Sequence, residues 1–297
     1  MKQLAIIGPT ASGKSDLAID IARKIDAYIL SIDSLSIYKE IDIVAAKPSK
    51  EELALVKHFG INYLNPDQYF SAELLIQLYK DVVNLCKKNN KNLIIVGGTS
   101  FYLKSLLDGL SPLPQTDETT LQKVSLQLKE LSSTYDFLYS IDKEYMEKIS
   151  HNDRYRIEKA LIIYESSAQT PTQWFKQNPP QPVIASLEVF NIDVERDVLR
   201  KRIGLRTHKM IEMGVIDEVA YLEAKYGRAI HPMSSIGIVE VLEYLDGKIS
   251  LENMRELISI HTAQLAKRQQ TFNKTQFKEI ISSPLDELQE IILKRII

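Results

Sequence analysis

The chain opens on a short continuous apolar run, Leu4 to Ile7, and then changes period. Leu17, Ala18, Ile21, Ala22 and Ile25 recur at helical spacing. Tyr28 to Ile32 reads as a second buried-type strand, and Leu93 to Val96 as a third. Between them Ser71 to Lys88 predicts a helix with Leu74, Leu78, Val82 and Leu85 on one stripe. Strands that are apolar throughout and separated by helices predict a parallel sheet covered on both faces. The character changes after Leu113-Pro114. Residues 117 to 166 read as helices, with Leu121, Val124, Leu128 and Leu131, then Ile157, Leu161 and Tyr164, as apolar stripes. Asn178-Pro179-Pro180-Gln181-Pro182 cannot continue a helix. Ser186 to Ile192 then reads as a strand rejoining the sheet, and the remainder as helical to the end. The expected architecture is α/β: a core at 1–114 plus 184–297, interrupted by a small all-helical insertion domain at 115–183.

Composition narrows the class. A chain of 297 residues, 44% hydrophobic and 26% charged, is an ordinary globular sequence. No apolar run approaches the roughly 20 residues a membrane span needs, and Lys2 to Ile7 reads as a strand, not a signal peptide. A single cysteine, Cys86, excludes a disulfide framework and a cysteine-based zinc site. His58, His151, His208, His231 and His261 show no metal-ligand spacing. A cytoplasmic enzyme is expected. The net charge of −2 does not point to nucleic acid, although phosphate contacts need only a local basic patch. Two such patches occur: Arg154, Arg156 and Lys159, and the run Arg196, Arg200, Lys201, Arg202, Arg206 and Lys209. Taken alone, both read as solvated helix faces paired with acids such as Glu158 and Glu195.

The candidate chemistry sits at the strand ends. Gly8-Pro9-Thr10-Ala11-Ser12-Gly13-Lys14-Ser15 matches the P-loop pattern in full, between a buried strand and an amphipathic helix. Its glycines let backbone N–H groups wrap around phosphate oxygens, and the following helix adds the positive end of its dipole. Lys14 would set a point charge against the terminal phosphate, and the Ser15 hydroxyl would ligate Mg²⁺. The core is therefore P-loop NTPase-like. Asp33 stands just beyond the second strand, and Gly97-Gly98-Thr99 ends the third, where open α/β sheets gather their ligands.

A P-loop leaves three readings: a kinase, a nucleotide switch, or a transferase whose substrate carries a diphosphate leaving group. The switch lacks its guanine motifs, since Asn273-Lys274-Thr275-Gln276 has no terminal Asp and no D-x-x-G occurs. The kinase lacks an acidic residue at the end of the Leu93 to Val96 strand to hold Mg²⁺.

Over nearly its whole length the chain resembles the bacterial tRNA dimethylallyltransferases. The landmarks, in order, are Gly8 to Ser15; Asp33-Ser34 with Tyr38 and Ala46-Lys47-Pro48; Val96-Gly97-Gly98-Thr99 with Tyr102; His151-Asn152-Asp153 with Arg156-Ile157; and Lys267-Arg268-Gln269 with Thr271. The resemblance implies transfer of a dimethylallyl group from dimethylallyl diphosphate to N6 of the adenosine 3′ of the anticodon, in tRNAs reading codons that begin with U. A monomer acting on the tRNA anticodon stem-loop is expected, with Mg²⁺ as cofactor. Asp33 would take or orient the N6 proton, Thr99 would hydrogen-bond near the leaving group or the N6 amine, and Lys14 with Gly8 to Ser15 would hold the diphosphate. Asp33, Ser34, Leu35, Ser36, Thr99, Arg154, Arg156, Lys159, Lys267, Arg268 and Gln269 would face the tRNA, whose target base must leave its stack. The pattern departs from the family at Ser36 (usually Gln), Val44-Ala45 (Gly-Thr), Leu121 (near an expected Arg, with Lys123 the closest cation), Gly237-Ile238-Val239-Glu240 (Gly-Tyr-Lys-Glu) and Thr271-Phe272-Asn273-Lys274 (Thr-Trp-Phe-Arg).

Overall fold

The structure, a computed structural model, describes residues 1–296 and divides into two compact units. The first holds Met1–Leu107 and the chain from Ile184 onward; the second is Asp108–Val183. In the first unit β1 (Gln3–Ile7), β2 (Ala27–Ser31), β3 (His58–Phe59), β4 (Asn92–Gly97), β5 (Glu188–Ile192) and β6 (Ile281–Ser283) form one sheet in the order β3-β2-β4-β1-β5-β6. Every pairing is parallel. Helices α1 (Lys14–Ile25), α2 (Lys50–Leu55), α3 (Ala72–Lys88) and α4 (Ser100–Asp108) accompany the first four strands. The second unit contributes α5 (Glu118–Gln127), α6 (Leu131–Ile141), α7 (Lys143–Met146), α8 (Arg154–Ser167) and α9 (Pro171–Gln177). The chain then adds α10 (Arg196–Glu212), α11 (Val215–Tyr226), α12 (Ile238–Leu245), α13 (Leu251–Gln276) and α14 (Leu285–Ile296).

The unbroken apolar strands are buried on both faces, as a parallel sheet requires: Leu4 to Ile7, Ile29, Leu30 and Leu93 to Ile95 are all in the core. Leu17, Ala18, Ile21 and Ala22 of α1 meet Leu288 and Ile292 of α14 in one cluster over β1 and β5. Each fully buried Leu or Ile contributes about 1.5–3 kcal/mol. Two strands escaped the hydrophobic pattern. β3 has two residues, and β6 interrupts a stretch expected to be helical to the end; three residues paired to Phe190–Ile192 are too short to show a period. Ser71, expected inside a helix, caps it, its Oγ accepting from the Leu74 N–H.

The second unit has its own core of Val124, Leu128, Leu138, Met146, Ile149, Ile157 and Leu161. Buried Asp142 caps α7 through the Tyr145 N–H and also accepts from the N–H and hydroxyl of Thr172 at 2.7 Å each.

Register decides where chemistry can gather. Ile7 pairs with Gly97 and Ser31 with Val96, so β1, β4 and β2 end level and side by side. Gly8 and Gly98 directly follow two of these ends, and Asp33 stands two residues past the third.

Candidate active site

The P-loop turns from β1 into α1 through Gly13, which holds a φ of 91° that a side chain rarely adopts. The Lys14 ammonium folds back to donate to the Pro9 carbonyl at 2.8 Å, and the Ser12 N–H closes on the same oxygen. The Ser12 hydroxyl is buried without a hydrogen-bond partner, a polar atom left open inside the β1–α1 turn.

Asp33 organises the end of β2. Its Oδ1 accepts from the Leu35 and Ser36 N–H groups at 2.9 and 3.1 Å, a turn that fixes the carboxylate over the strand end. Across the β2–β4 boundary the Thr99 hydroxyl accepts from the Ser34 N–H at 3.3 Å and lies 3.4 Å from Ser34 Oγ. Helix α10 supplies two cations one turn apart. Arg202 donates to the Ser12 carbonyl at 3.3 Å and Arg206 to the Ala45 carbonyl at 3.5 Å. Burial pushes the Lys14 ammonium down to about 8, against the pull of the Asp33 carboxylate and with help from the neighbouring Arg206 charge. Burial also lowers the Arg206 guanidinium, opposed again by Asp33. These couplings place Lys14, Asp33 and Arg206 in one electrostatic unit.

The cleft has two parts. A small pocket of about 80 Å³ is lined by Lys14, Ser15, Ser31 and Ser36. A larger cavity of about 480 Å³ is lined by Thr99, Phe101, Val44, Met210, Ile258 and Phe272 among others. Thr10, Asp33, Ala45, Gly98 and Arg206 line both, so the two are one continuous site with a polar end and an apolar end. Among the described residues no group of three or more His, Cys, Asp or Glu is placed to hold a metal alone. Ser15 and Asp33 nevertheless present hard oxygen donors to the small pocket, which suits Mg²⁺ sharing its shell with diphosphate oxygens.

Comparison with known proteins identifies the arrangement. Residues 36–276 match the family model described as IPP transferase. The chain is 64% identical to a tRNA dimethylallyltransferase of Sulfurimonas denitrificans, over 99% of both chains. The chain belongs to the IPP transferase family. It is therefore an enzyme, a transferase. A crystal structure of a full-length tRNA isopentenylpyrophosphate transferase from Bacillus halodurans superposes with a TM-score of 0.72 at 26% identity, covering 99% of this chain and 96% of that one. A eukaryotic dimethylallyltransferase acting on tRNA, at 22% identity, shares the fold with a TM-score of 0.84 over 99% of this chain and 77% of its own.

Within this IPP transferase the residues expected from sequence fall into three groups. Thr10, Lys14, Ser15, Asp33, Ser34, Leu35, Ser36, Thr99, Arg268 and Gln269 line the two-part cleft. Lys267 lies outside it, on an adjoining groove of α13 with Arg268, Thr271 and Phe272. Arg154, Arg156 and Lys159 belong to the second unit, where each has a local partner. Arg154 donates to the Leu128 carbonyl, Arg156 pairs with Asp153, and Lys159 sits 5.4 Å from the Tyr155 ring centre. Arg156 therefore pairs with its own helix cap and not with Glu158. Trp174 donates its indole N–H to the Pro112 carbonyl at 2.8 Å. Cys86 is core, its thiol pushed up by burial.

Sequence reasoning left Arg206 undecided within a basic run and gave Glu218 no role. The signal for Arg206 was its place four residues before Met210, on a helix whose Leu199, Ile203, Thr207 and Met210 are buried. Glu218 had no local signal, because the three N–H groups it holds belong to Asp42, Ile43 and Val44. Helix α11 thereby fixes the loop that carries Val44 and Ala45 into the cavity.

Proposed function

We propose that this enzyme transfers a dimethylallyl group from dimethylallyl diphosphate to N6 of the adenosine 3′-adjacent to the anticodon, in tRNAs reading codons that begin with U, acting as a monomer in the cytoplasm. The observation that carries the reading is the two-part cleft, in which Asp33 stands where a cationic phosphate pocket opens into an apolar cavity. The kinase reading has no acidic residue at the end of β4 to hold Mg²⁺. The names of the relatives, tRNA dimethylallyltransferase and tRNA isopentenylpyrophosphate transferase, support the same chemistry. No helix among the described residues is long and apolar enough to cross a membrane.

The mechanism follows from the residue types. The adenine N6 amine is a poor nucleophile because its lone pair is delocalised into the ring, so the allylic carbon must be made electrophilic. Lys14, Arg206 and the P-loop N–H groups offset the charge that builds on the departing diphosphate, in a site where that charge is worth more than in water. Mg²⁺ held at Ser15, with Asp33 at the same pocket, would supply further charge neutralisation to the leaving group. As N6 bonds to C1, the C1–O bond breaks and its electron pair leaves with the diphosphate. The N6 proton passes to the Asp33 carboxylate, and an ordinary carboxylate suffices because the amine becomes acidic only as the bond forms. Thr99, tied to Ser34, presents its hydroxyl beside that path. The cleft has room for one base taken out of its stack, and Arg268 at its edge, with Lys267 and the second unit's Arg154, Arg156 and Lys159, supplies charge for RNA phosphates.

Asp33→Asn tests the assignment, because the amide can still accept the Leu35 and Ser36 N–H groups and keep the turn. Single-turnover transfer from labelled dimethylallyl diphosphate to unfractionated bacterial tRNA should fall by roughly two or more decades, with tRNA affinity little changed. Near-normal turnover would remove Asp33 from its role. ATP consumption with no label in RNA would return the kinase reading.

A further inference from the structure

We propose that Val44 and Met210 form an end wall that limits this enzyme to five-carbon allylic diphosphates. The inference rests on the prenyl-transfer reading and adds to it a specificity determinant. Helix α10 orders the cleft along its own axis. Arg206 lines both the phosphate pocket and the larger cavity, whereas Met210, four residues on, lines only the larger one. Residues at i and i+4 share a helix face and stand about 6 Å apart along the axis. One turn of α10 therefore separates the cation at the leaving group from the thioether at the apolar end.

Exposure shows which end is closed. Val44, Met210 and Ile258 are 5%, 7% and 2% exposed, while Phe101 on the same cavity is 53% exposed. A nucleobase attached to RNA must enter from the open side, beside Phe101 and Arg268. The closed side is left for the alkyl group. Gly237 stands behind the wall: a methyl placed on it would sit 3.2 Å from Val44 Cγ1 and 3.8 Å from Met210 Cε. Both side chains thus face Gly237, whose N–H is held at 2.6 Å by the buried carboxylate of Glu240. Glu240 is held in turn by His261 at 2.5 Å. Val44 is fixed from the other side by its N–H bond to Glu218 at 3.0 Å. A wall braced on both sides cannot retreat to admit a second isoprene unit.

The test compares kcat/KM for dimethylallyl diphosphate and for the ten-carbon geranyl diphosphate, using full-length enzyme and unfractionated bacterial tRNA. One methylene in an apolar pocket discriminates by about 10–200-fold, so wild type should favour the five-carbon donor by at least about 100-fold. Met210→Ala and Val44→Ala should each raise the geranyl-to-dimethylallyl ratio by about 10-fold or more, and together by more than either alone. Met210→Leu, which conserves volume, should leave the ratio near wild type. Equal use of both donors by wild type would overturn the wall. So would an unchanged ratio in Val44→Ala that still transfers the five-carbon group, and this loop variant decides the question if Met210→Ala fails to fold. Absence of five-carbon transfer by wild type would instead sink the prenyl-transfer reading, so the two failures are distinguishable.

Discussion

The side-chain amide of Gln269 donates to the Gly98 carbonyl at 3.0 Å, while its Oε1 accepts from the Thr10 N–H at 2.8 Å. One residue of α13 thereby ties the P-loop to the end of β4. Thr10 and Gly98 line both halves of the cleft, so this amide sets the spacing between the β1–α1 turn and Thr99. The approach is close enough to require glycine, since a Cβ on Gly98 would lie 2.6 Å from Gln269 Nε2.

Gln269→Ala should cost about 1–3 kcal/mol of stability, two neutral hydrogen bonds' worth, while lowering prenyl transfer by roughly 10–100-fold through misplaced groups. Gly98→Ala should be harmful alone and milder in the Gln269→Ala background, because the clash is with that side chain. A double-mutant cycle on kcat/KM measures the coupling. Strictly additive effects would show that the two residues do not act as a unit.

Lys14 gives the enzyme a pH dependence of defined sign. Its ammonium titrates at about 8 in the folded protein, against an ordinary 10.5. Between those values the unfolded chain binds more protons, so this group's unfavourable effect on folding is fully present below about pH 8 and is relieved as pH rises toward 10.5. A bound diphosphate favours the charged ammonium. Binding of inorganic diphosphate above about pH 8 should therefore take up as much as one proton and weaken by up to about tenfold per pH unit. Calorimetry at pH 8.5 in two buffers of different ionisation heat reads the uptake, with Lys14→Arg as the variant that carries a fixed charge. Equal uptake by both proteins would assign the proton to the ligand.

The polar end of the cleft was legible in the sequence because its information is contiguous. Gly8 to Ser15 encode their own turn, and Asp33 and Gly98 are marked by the strands they end. The rest depends on contacts that no local pattern records. Gln269 meets Thr10 from 259 positions away, and Glu218 meets Val44 from 174. Arg206 was visible only as one charge among several, since a run of cations does not say which one the fold turns inward. The short strands β3 and β6 went unseen for a different reason, too few residues to establish a period.

Arg206 should behave as a ligand of the leaving group and not as part of a solvated face. Arg206→Ala should raise KM for the allylic diphosphate and lower kcat/KM by roughly two decades, since it removes a charge from where charge develops. Arg206→Lys should recover only part, because an ammonium cannot reproduce the planar fork. Steady-state kinetics at fixed tRNA would decide, and unchanged constants in Arg206→Ala would return the residue to a structural role on α10.

Glu218 offers the last test, of whether a loop anchored at a distance sets substrate binding. Its carboxylate accepts from three successive N–H groups, Asp42 and Ile43 at 2.8 Å and Val44 at 3.0 Å. The same loop is pinned at its far end by Lys47, whose ammonium donates to the Tyr38 carbonyl, Asp42 Oδ1 and Asn62 Oδ1 at 2.6–2.7 Å. Hydrogen bonds to a charged acceptor are worth about 1.5–3 kcal/mol, against 0.5–1.5 for neutral ones. Glu218→Gln should thus loosen the loop modestly and Glu218→Ala more. Hydrogen exchange at residues 42–44 should speed up in that order, and KM for the allylic diphosphate should rise about 5- to 20-fold in Glu218→Ala, with kcat changed less. Because Glu218 lines neither pocket, such a rise can reach the substrate only through the loop it anchors, whose Val44, Ala45, Ala46 and Pro48 line the cleft. Faster exchange with an unaltered KM would separate the loop's order from its function.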